Sequence, residues 1–221
     1  MFAKNLKPRA LAIIRPLTNA FIRSGIHPNA LTMVGLLVSC WAAWIYADGS
    51  LVWAGAVLML AGLFDVLDGA VAREGHRITK FGAFLDSNID RYAEIVVFLG
   101  ILVRFTESPW TQLAAFLTIT GSLMVSYSRA RAEGLGESVS GGLLQRPERV
   151  LLLVLGSLAG EAGLRTVLWI MAGLTHGTTL QRILGVRMSL RGSGGHSRAE
   201  EEDPGEQPPM EAREAGALPP A

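Results

Sequence analysis

Four aspartates, Asp65, Asp68, Asp86 and Asp90, interrupt two neighbouring stretches that otherwise read as membrane-spanning helix. A carboxylate at bilayer depth is costly, and intramembrane acids face a bundle interior or mark a functional path rather than lipid. Four of them in two adjacent spans must therefore serve a purpose, and any fold has to bring them in from the lipid.

The two halves of the run DVLDGAVAREGHRITKFGAFLDSNID are symmetric about its middle. With a turn centred near Arg77, Asp68 and Asp86 each lie nine residues away, and Asp65 and Asp90 twelve and thirteen away. At a rise of about 1.5 Å per residue, an antiparallel helical hairpin brings each pair to nearly the same depth. Spacings of i to i+3 and i to i+4 place both carboxylates of each helix on one face. Left alone, such a cluster repels itself in a low-dielectric site. One or two hard divalent cations, Mg²⁺ or Mn²⁺, remove that repulsion, and Mg²⁺ is typically held by a few carboxylates together with substrate phosphates. The single cysteine, Cys40, is distant and no histidine pair has ligand spacing, so soft-metal chemistry is not offered. A phosphate-bearing substrate is implied.

Small residues fill the rest of the acidic face. Gly69 and Ala72 follow Asp68 by one and four positions, and Gly82 precedes Asp86 by four. Glycine inside a helix costs roughly 1 kcal/mol relative to alanine, so a packing or ligand reason is expected; close helix packing is one such reason. Arg73 adds a phosphate-binding guanidinium one turn beyond Gly69.

Written as spacing, these positions read D-x2-D-G-x2-A-R-x8-G-x3-D-x3-D from Asp65 to Asp90. This pattern resembles the signature of the CDP-alcohol phosphotransferase family, integral membrane enzymes of phospholipid synthesis. The resemblance implies transfer of a phosphatidyl group from CDP-diacylglycerol to the hydroxyl of a small polar alcohol, with release of CMP. It implies two Mg²⁺ or Mn²⁺ ions on Asp65, Asp68, Asp86 and Asp90, with Asp90 also the general base. Gly69 and Ala72 would make room for the cytidine, Arg73 would pair with the diphosphate, and Gly82, Thr79, Asn29 and Thr32 would lie beside the CDP-lipid. Helix capping accounts equally well for Asn29 and Thr32 in the His27-Pro28-Asn29-Ala30-Leu31-Thr32 run. Homodimers are common in the family.

Half of the 221 residues are hydrophobic, which suits a small polytopic membrane protein. Residues 1–26 carry Lys4, Lys7, Arg9, Arg15 and Arg23 and no acid, interleaved with apolar residues, and predict a basic amphipathic helix on an anionic membrane face. A signal peptide is the rival reading, but the segment lacks a continuous apolar core. Apolar segments follow at roughly 30–47, 51–72, 81–103, 109–127, 148–160 and 164–180, the fifth extended back through the Arg-Pro-Glu-Arg stretch. The expected fold is thus all-α: a bundle of six transmembrane helices over 27–191 behind an interfacial helix.

Arg73, Arg77, Lys80, Arg129, Arg131, Arg146, Arg149, Arg182, Arg187 and Arg191 fall on the N-terminal side of this topology, and only Arg104 and Arg165 on the outer connections. By the positive-inside rule the acidic site opens to the cytoplasm across the cell membrane. From Gly192 onward, residues rich in Gly, Glu and Pro predict a disordered acidic tail over 192–221. No feature points to a nucleic-acid partner.

A second basic cluster, SYSRARAEGLGESVSGGLLQRPERV, flanks a Gly-rich loop. Ser126 with Arg129, and Arg146 with Arg149, are i, i+3 pairs that can each face one way. Ordinary flanking charge explains part of the set, and an anionic acceptor explains more. Within the family, the Arg-Ala-Arg-Ala-Glu-Gly-Leu-Gly run and the later Arg-x-x-Arg resemble enzymes that use inositol phosphate. That resemblance suggests Ser126, Arg129, Arg131 and Arg149, with Arg146 beside them, as contacts to the acceptor phosphate. Glycerol 3-phosphate is the rival acceptor, and a small cation transporter the rival of a different class.

Overall fold

The protein is described by a computed structural model that covers residues 14–137, 142 and 144–201, with side chains to residue 191. Among the described residues all regular structure is helical. Helix α1 covers 14–23, α2 Pro28–Asp48, α3 Leu51–Glu74, α4 Lys80–Arg104, α5 Pro109–Glu133, α6 Arg146–Leu158 and α7 Gly160–Glu201.

The boundaries follow local chemistry. His27 caps α2 by accepting from the Asn29 amide at 3.2 Å, with Pro28 at the first helical position. Thr79 caps α4 by accepting from the Gly82 amide at 2.9 Å. Gly25 (φ +74°) turns the chain from α1 into α2 in the left-handed region that glycine tolerates.

Helix α2 packs against both α3 and α4, α5 against α7, and α6 against α3 and α7. Helices α3 and α4 do not pack directly on each other, contrary to the simple hairpin expected from sequence. Both lean on α2 instead, and their acidic faces look across a gap. Contact with α2 is close because Gly100 has no side chain: a Cβ there would overlap the Ala43 carbonyl. The apolar core lies toward the far end of the bundle from the α3–α4 turn, around Tyr46, Leu58, Phe98, Ile101, Leu164, Leu168 and Met171. At that end Arg104 donates to the Gly49 carbonyl (2.8 Å) and pairs with Glu161 (3.2 Å), and Tyr46 hydroxyl meets Ser157 Oγ at 2.6 Å.

Helices α2 and α3 are long and apolar enough to cross a membrane on length and composition alone. Helix α6 begins at Arg146, as the Arg-Pro-Glu-Arg stretch suggested, but has 13 residues, about 20 Å of rise. Helix α7 continues to Glu201, so backbone 192–201, expected to be disordered, is helical. Extending an existing helix requires no new nucleus, which Gly-Ser-Gly-Gly would not form by itself. Residues 202–221, and Lys4, Lys7 and Arg9 of the basic N-terminal segment, lie outside the described residues.

Candidate active site

Two cavities meet at the acidic faces of α3 and α4. The first, about 290 Å³, is lined by Asn29 and Thr32 of α2, Asp68, Gly69, Ala72 and Arg73 of α3, Arg77 and Thr79 of the connecting turn, and Gly82 and Asp86 of α4. All seven residues that the resemblance assigned to the CDP-lipid are on this list. Gly82 faces the start of α2: a Cβ there would lie 3.2 Å from Asn29 Oδ1 and 2.9 Å from Thr79 Oγ1. Thr79 is therefore both a helix cap and part of the cavity wall. At Gly69 a Cβ would lie 3.1 Å from Arg73 Nη1, so the glycine leaves the guanidinium room to lie along the helix.

The second cavity, about 300 Å³, runs between α2, α3, α4 and α6. Its polar end carries Asp65, Asp68, Asp90, Glu94, Arg146 and Arg149, and its other end is apolar, with Leu58, Val97, Phe98 and Leu153. Among the described residues only Thr32 and Asp68 line both cavities.

Asp65, Asp86 and Asp90 each offer an oxygen to a group whose members lie within 4.8 Å of one another. Such a set of half-buried carboxylates suits a hard divalent cation. Asp68 is more buried, 4% exposed, and Thr32 Oγ1 donates to its Oδ2 at 2.6 Å. Arg146 reaches into the group, pairing with Asp65 and with Asp90 Oδ1 (2.7 Å), and Arg91 lies 3.6 Å from Asp90.

The basic residues expected at the acceptor divide. Arg146 and Arg149 line the second cavity, whereas Ser126, Arg129 and Arg131 line neither. Arg129 pairs with Glu133 at 2.8 Å, one turn along α5, with its side chain 60% exposed. Arg149 is held by two hydrogen bonds to Glu94, Nε to Oε1 at 2.8 Å and Nη2 to Oε2 at 3.1 Å. Glu94 went unnoticed in the sequence although it continues the Asp86, Asp90 stripe by one more turn. Arg182 of α7 lines neither cavity but lies close to the basic cluster. Buried, it donates to the Val125 carbonyl beside Ser126 and has Arg129 and Arg149 as cationic neighbours. Arg77 supplies another unforeseen contact: its Nη1 donates to the Gly25 and Ile26 carbonyls (3.1 and 3.2 Å), tying the α1–α2 corner to the α3–α4 turn. No local pattern could signal that contact, because it spans about fifty residues.

An acid-lined helical cavity with glycines and an arginine in its wall, adjoining a second, arginine-bearing cavity, suits a group-transfer enzyme acting on a charged phosphate substrate. The chain belongs to the CDP-alcohol phosphatidyltransferase family, whose model matches residues 25–180. It is 38% identical over 187 residues to archaetidylinositol phosphate synthase of Methanothermobacter thermautotrophicus, covering 80% of this chain and 94% of the relative. It is 37% identical to phosphatidylinositol phosphate synthase of Mycobacteroides abscessus, covering 80% and 84%. Among solved structures, phosphatidylinositol phosphate synthase of Mycobacterium tuberculosis with CDP-DAG bound superposes with a TM-score of 0.73 at 31% identity, over 79% of this chain and 94% of that one. The same enzyme in complex with manganese and citrate gives 0.73 at 31%, over 77% and 87%.

Proposed function

We propose that the protein transfers a phosphatidyl group from CDP-diacylglycerol to the hydroxyl of an inositol phosphate, releasing CMP. The observation that carries this reading is the pair of cavities sharing Asp68: the nucleotide-side residues of the signature line one, and Asp65, Asp90, Arg146 and Arg149 line the other. The inositol phosphate acceptor is supported by the two relatives named for it, and the CDP-lipid by the solved relative that binds it.

In this reading the cytidine sits against Gly69 and Ala72, and Arg73 pairs with the diphosphate. Asn29, Thr32, Thr79 and Gly82 form the remaining wall. Arg146 and Arg149 receive the acceptor phosphate, for which a guanidinium fork is well shaped. The acceptor hydroxyl oxygen bonds to the lipid-linked phosphorus, and the bond from that phosphorus to the CMP oxygen breaks, CMP leaving with the electron pair. Asp90 takes the hydroxyl proton. Asp65, Asp68, Asp86 and Asp90 would hold two Mg²⁺ or Mn²⁺ ions, which when bound neutralise the diphosphate and the departing CMP. Positioning and charge neutralisation supply most of the acceleration in such a transfer.

The same reading sets α2 to α7 across the cell membrane as six spans, with both cavities open to the cytoplasm and the chain paired as a homodimer. Helix α4 supports it. Its acids turn inward while Phe81, Phe84, Tyr92, Ile95 and Leu99 are exposed, a surface made for lipid. The concentration of arginine and lysine at the α3–α4 turn and the α5–α6 connection supports the orientation.

A panel of acceptors tests the function. With CDP-diacylglycerol and Mg²⁺, inositol phosphate is expected to give kcat/KM at least about 100-fold above free inositol, glycerol 3-phosphate and serine. Free inositol and serine lose the contacts to a phosphate dianion, at about 1.5–3 kcal/mol for each charged hydrogen bond, whereas glycerol 3-phosphate keeps that dianion and loses the hydrogen bonds of the inositol ring hydroxyls. Equal or better use of glycerol 3-phosphate would overturn the acceptor assignment.

A further inference from the structure

We propose that Thr32 is a positioning residue for the cation site, fixing the plane of the Asp68 carboxylate so that it presents a remaining lone pair to the metal. Thr32 and Asp68 line both cavities, and their 2.6 Å hydrogen bond links α2 to α3 in the wall between the two. Both side chains are buried, Thr32 at 7% and Asp68 at 4% exposure. Against an ionised carboxylate the hydroxyl must be the donor. The Pro28 carbonyl, 3.3 Å from Thr32 Oγ1, is the weaker acceptor by distance.

Asp68 stands apart from the other three acids. Asp65, Asp86 and Asp90 have oxygens within 4.8 Å of one another, and Asp65 and Asp90 are tied to Arg146. Asp68 has instead a neutral hydroxyl donor from another helix. The Gly69 amide also donates to this carboxylate, and because a carboxylate has about four lone-pair sites, these two hydrogen bonds fix its plane and still leave a site for a cation. Outer partners of this kind orient metal ligands, and their loss typically lowers metal affinity about 10–100-fold. Thr32 would thereby couple the nucleotide wall to the cation site: a shift of α2 against the cytidine side moves a metal ligand directly.

The inference rests on the divalent-cation reading of the aspartates, and the test separates the two. Mn²⁺ is titrated into the intact protein without substrate, and free Mn²⁺ is followed by electron paramagnetic resonance. Wild type is expected to bind Mn²⁺. Thr32→Val, which keeps the shape and removes the donor, is expected to bind at least tenfold more weakly. Thr32→Ser, which keeps the donor, is expected to stay within threefold of wild type. Thermal unfolding of the metal-free proteins identifies a variant that has failed to fold, in which case Thr32→Ala replaces Thr32→Val in the same titration. Wild-type affinity in the folded donor-less variant would overturn the positioning role while leaving the cation reading intact. Absence of Mn²⁺ binding by wild type would overturn both.

Discussion

Asp90→Asn is expected to lower CMP release by about three orders of magnitude or more at saturating CDP-diacylglycerol and acceptor, with the protein still folded. Asp90 has two duties in the proposed reaction. As general base it accounts for a factor of about 10²–10⁴, and as a member of the acid group that converges within 4.8 Å it also holds metal. Asparagine preserves the size and can still accept a hydrogen bond from Arg146, which lies 2.7 Å from Asp90 Oδ1. The loss would then fall on kcat rather than on the KM for CDP-diacylglycerol, because Asp90 lines the second cavity and not the one holding the nucleotide-side residues. Steady-state CMP release, read beside Mn²⁺ binding to the same variant, separates the two duties. A variant that binds Mn²⁺ fully and turns over at near-wild-type rate would remove Asp90 from its role as base.

Exhaustive chelation of divalent cations is expected to abolish activity, with recovery on adding Mg²⁺ or Mn²⁺. Asp65, Asp68, Asp86, Asp90 and Glu94 all face the cavities, against Arg73, Arg77, Arg146 and Arg149. Arg149 is already committed to Glu94, and Arg146 to Asp65 and Asp90. A substrate diphosphate would thus meet several carboxylates with little cationic charge free to offset them. Two like charges 4 Å apart repel by about 4 kcal/mol at an effective dielectric of 20, so a few unscreened contacts are enough to suppress turnover by more than about a thousandfold. Residual CMP release after chelation at more than about a tenth of the original rate would contradict a metal-dependent transfer.

Much of the lining of the first cavity was legible in the sequence because its geometry is local. Asp65, Asp68, Gly69, Ala72 and Arg73 share one helix, Gly82, Asp86 and Asp90 share the next, and helical periodicity fixes which of them face together. Thr79 was within reach for a second local reason, since it caps α4, whereas at the start of α2 the cap is His27 rather than the expected Asn29. Contacts set by packing between distant segments were not legible. The α3–α4 pair read as a plain hairpin, but α2 takes the contact surface of both helices, and nothing in residues 51–104 reveals that.

The arginines expected at the acceptor show the same limit. Arg146 and Arg149 reach the cavity because α6 packs on α3. Arg129 and Arg131, equally basic and near the same loop by sequence, sit on α5, which packs mainly on α7. Glu94 could have been found by carrying the acidic stripe one turn further. Its pairing with Arg149 could not, because that contact spans 55 residues.

The central measurement is the stoichiometry of products. Purified protein is supplied with CDP-diacylglycerol, Mg²⁺ and myo-inositol 1-phosphate, and the nucleotide and lipid products are quantified by mass spectrometry. Equal amounts of CMP and phosphatidylinositol phosphate are expected, with neither formed when Mg²⁺ is withheld. CMP release without a phosphorylated inositol lipid, or no CMP release at all, would contradict the proposed transfer.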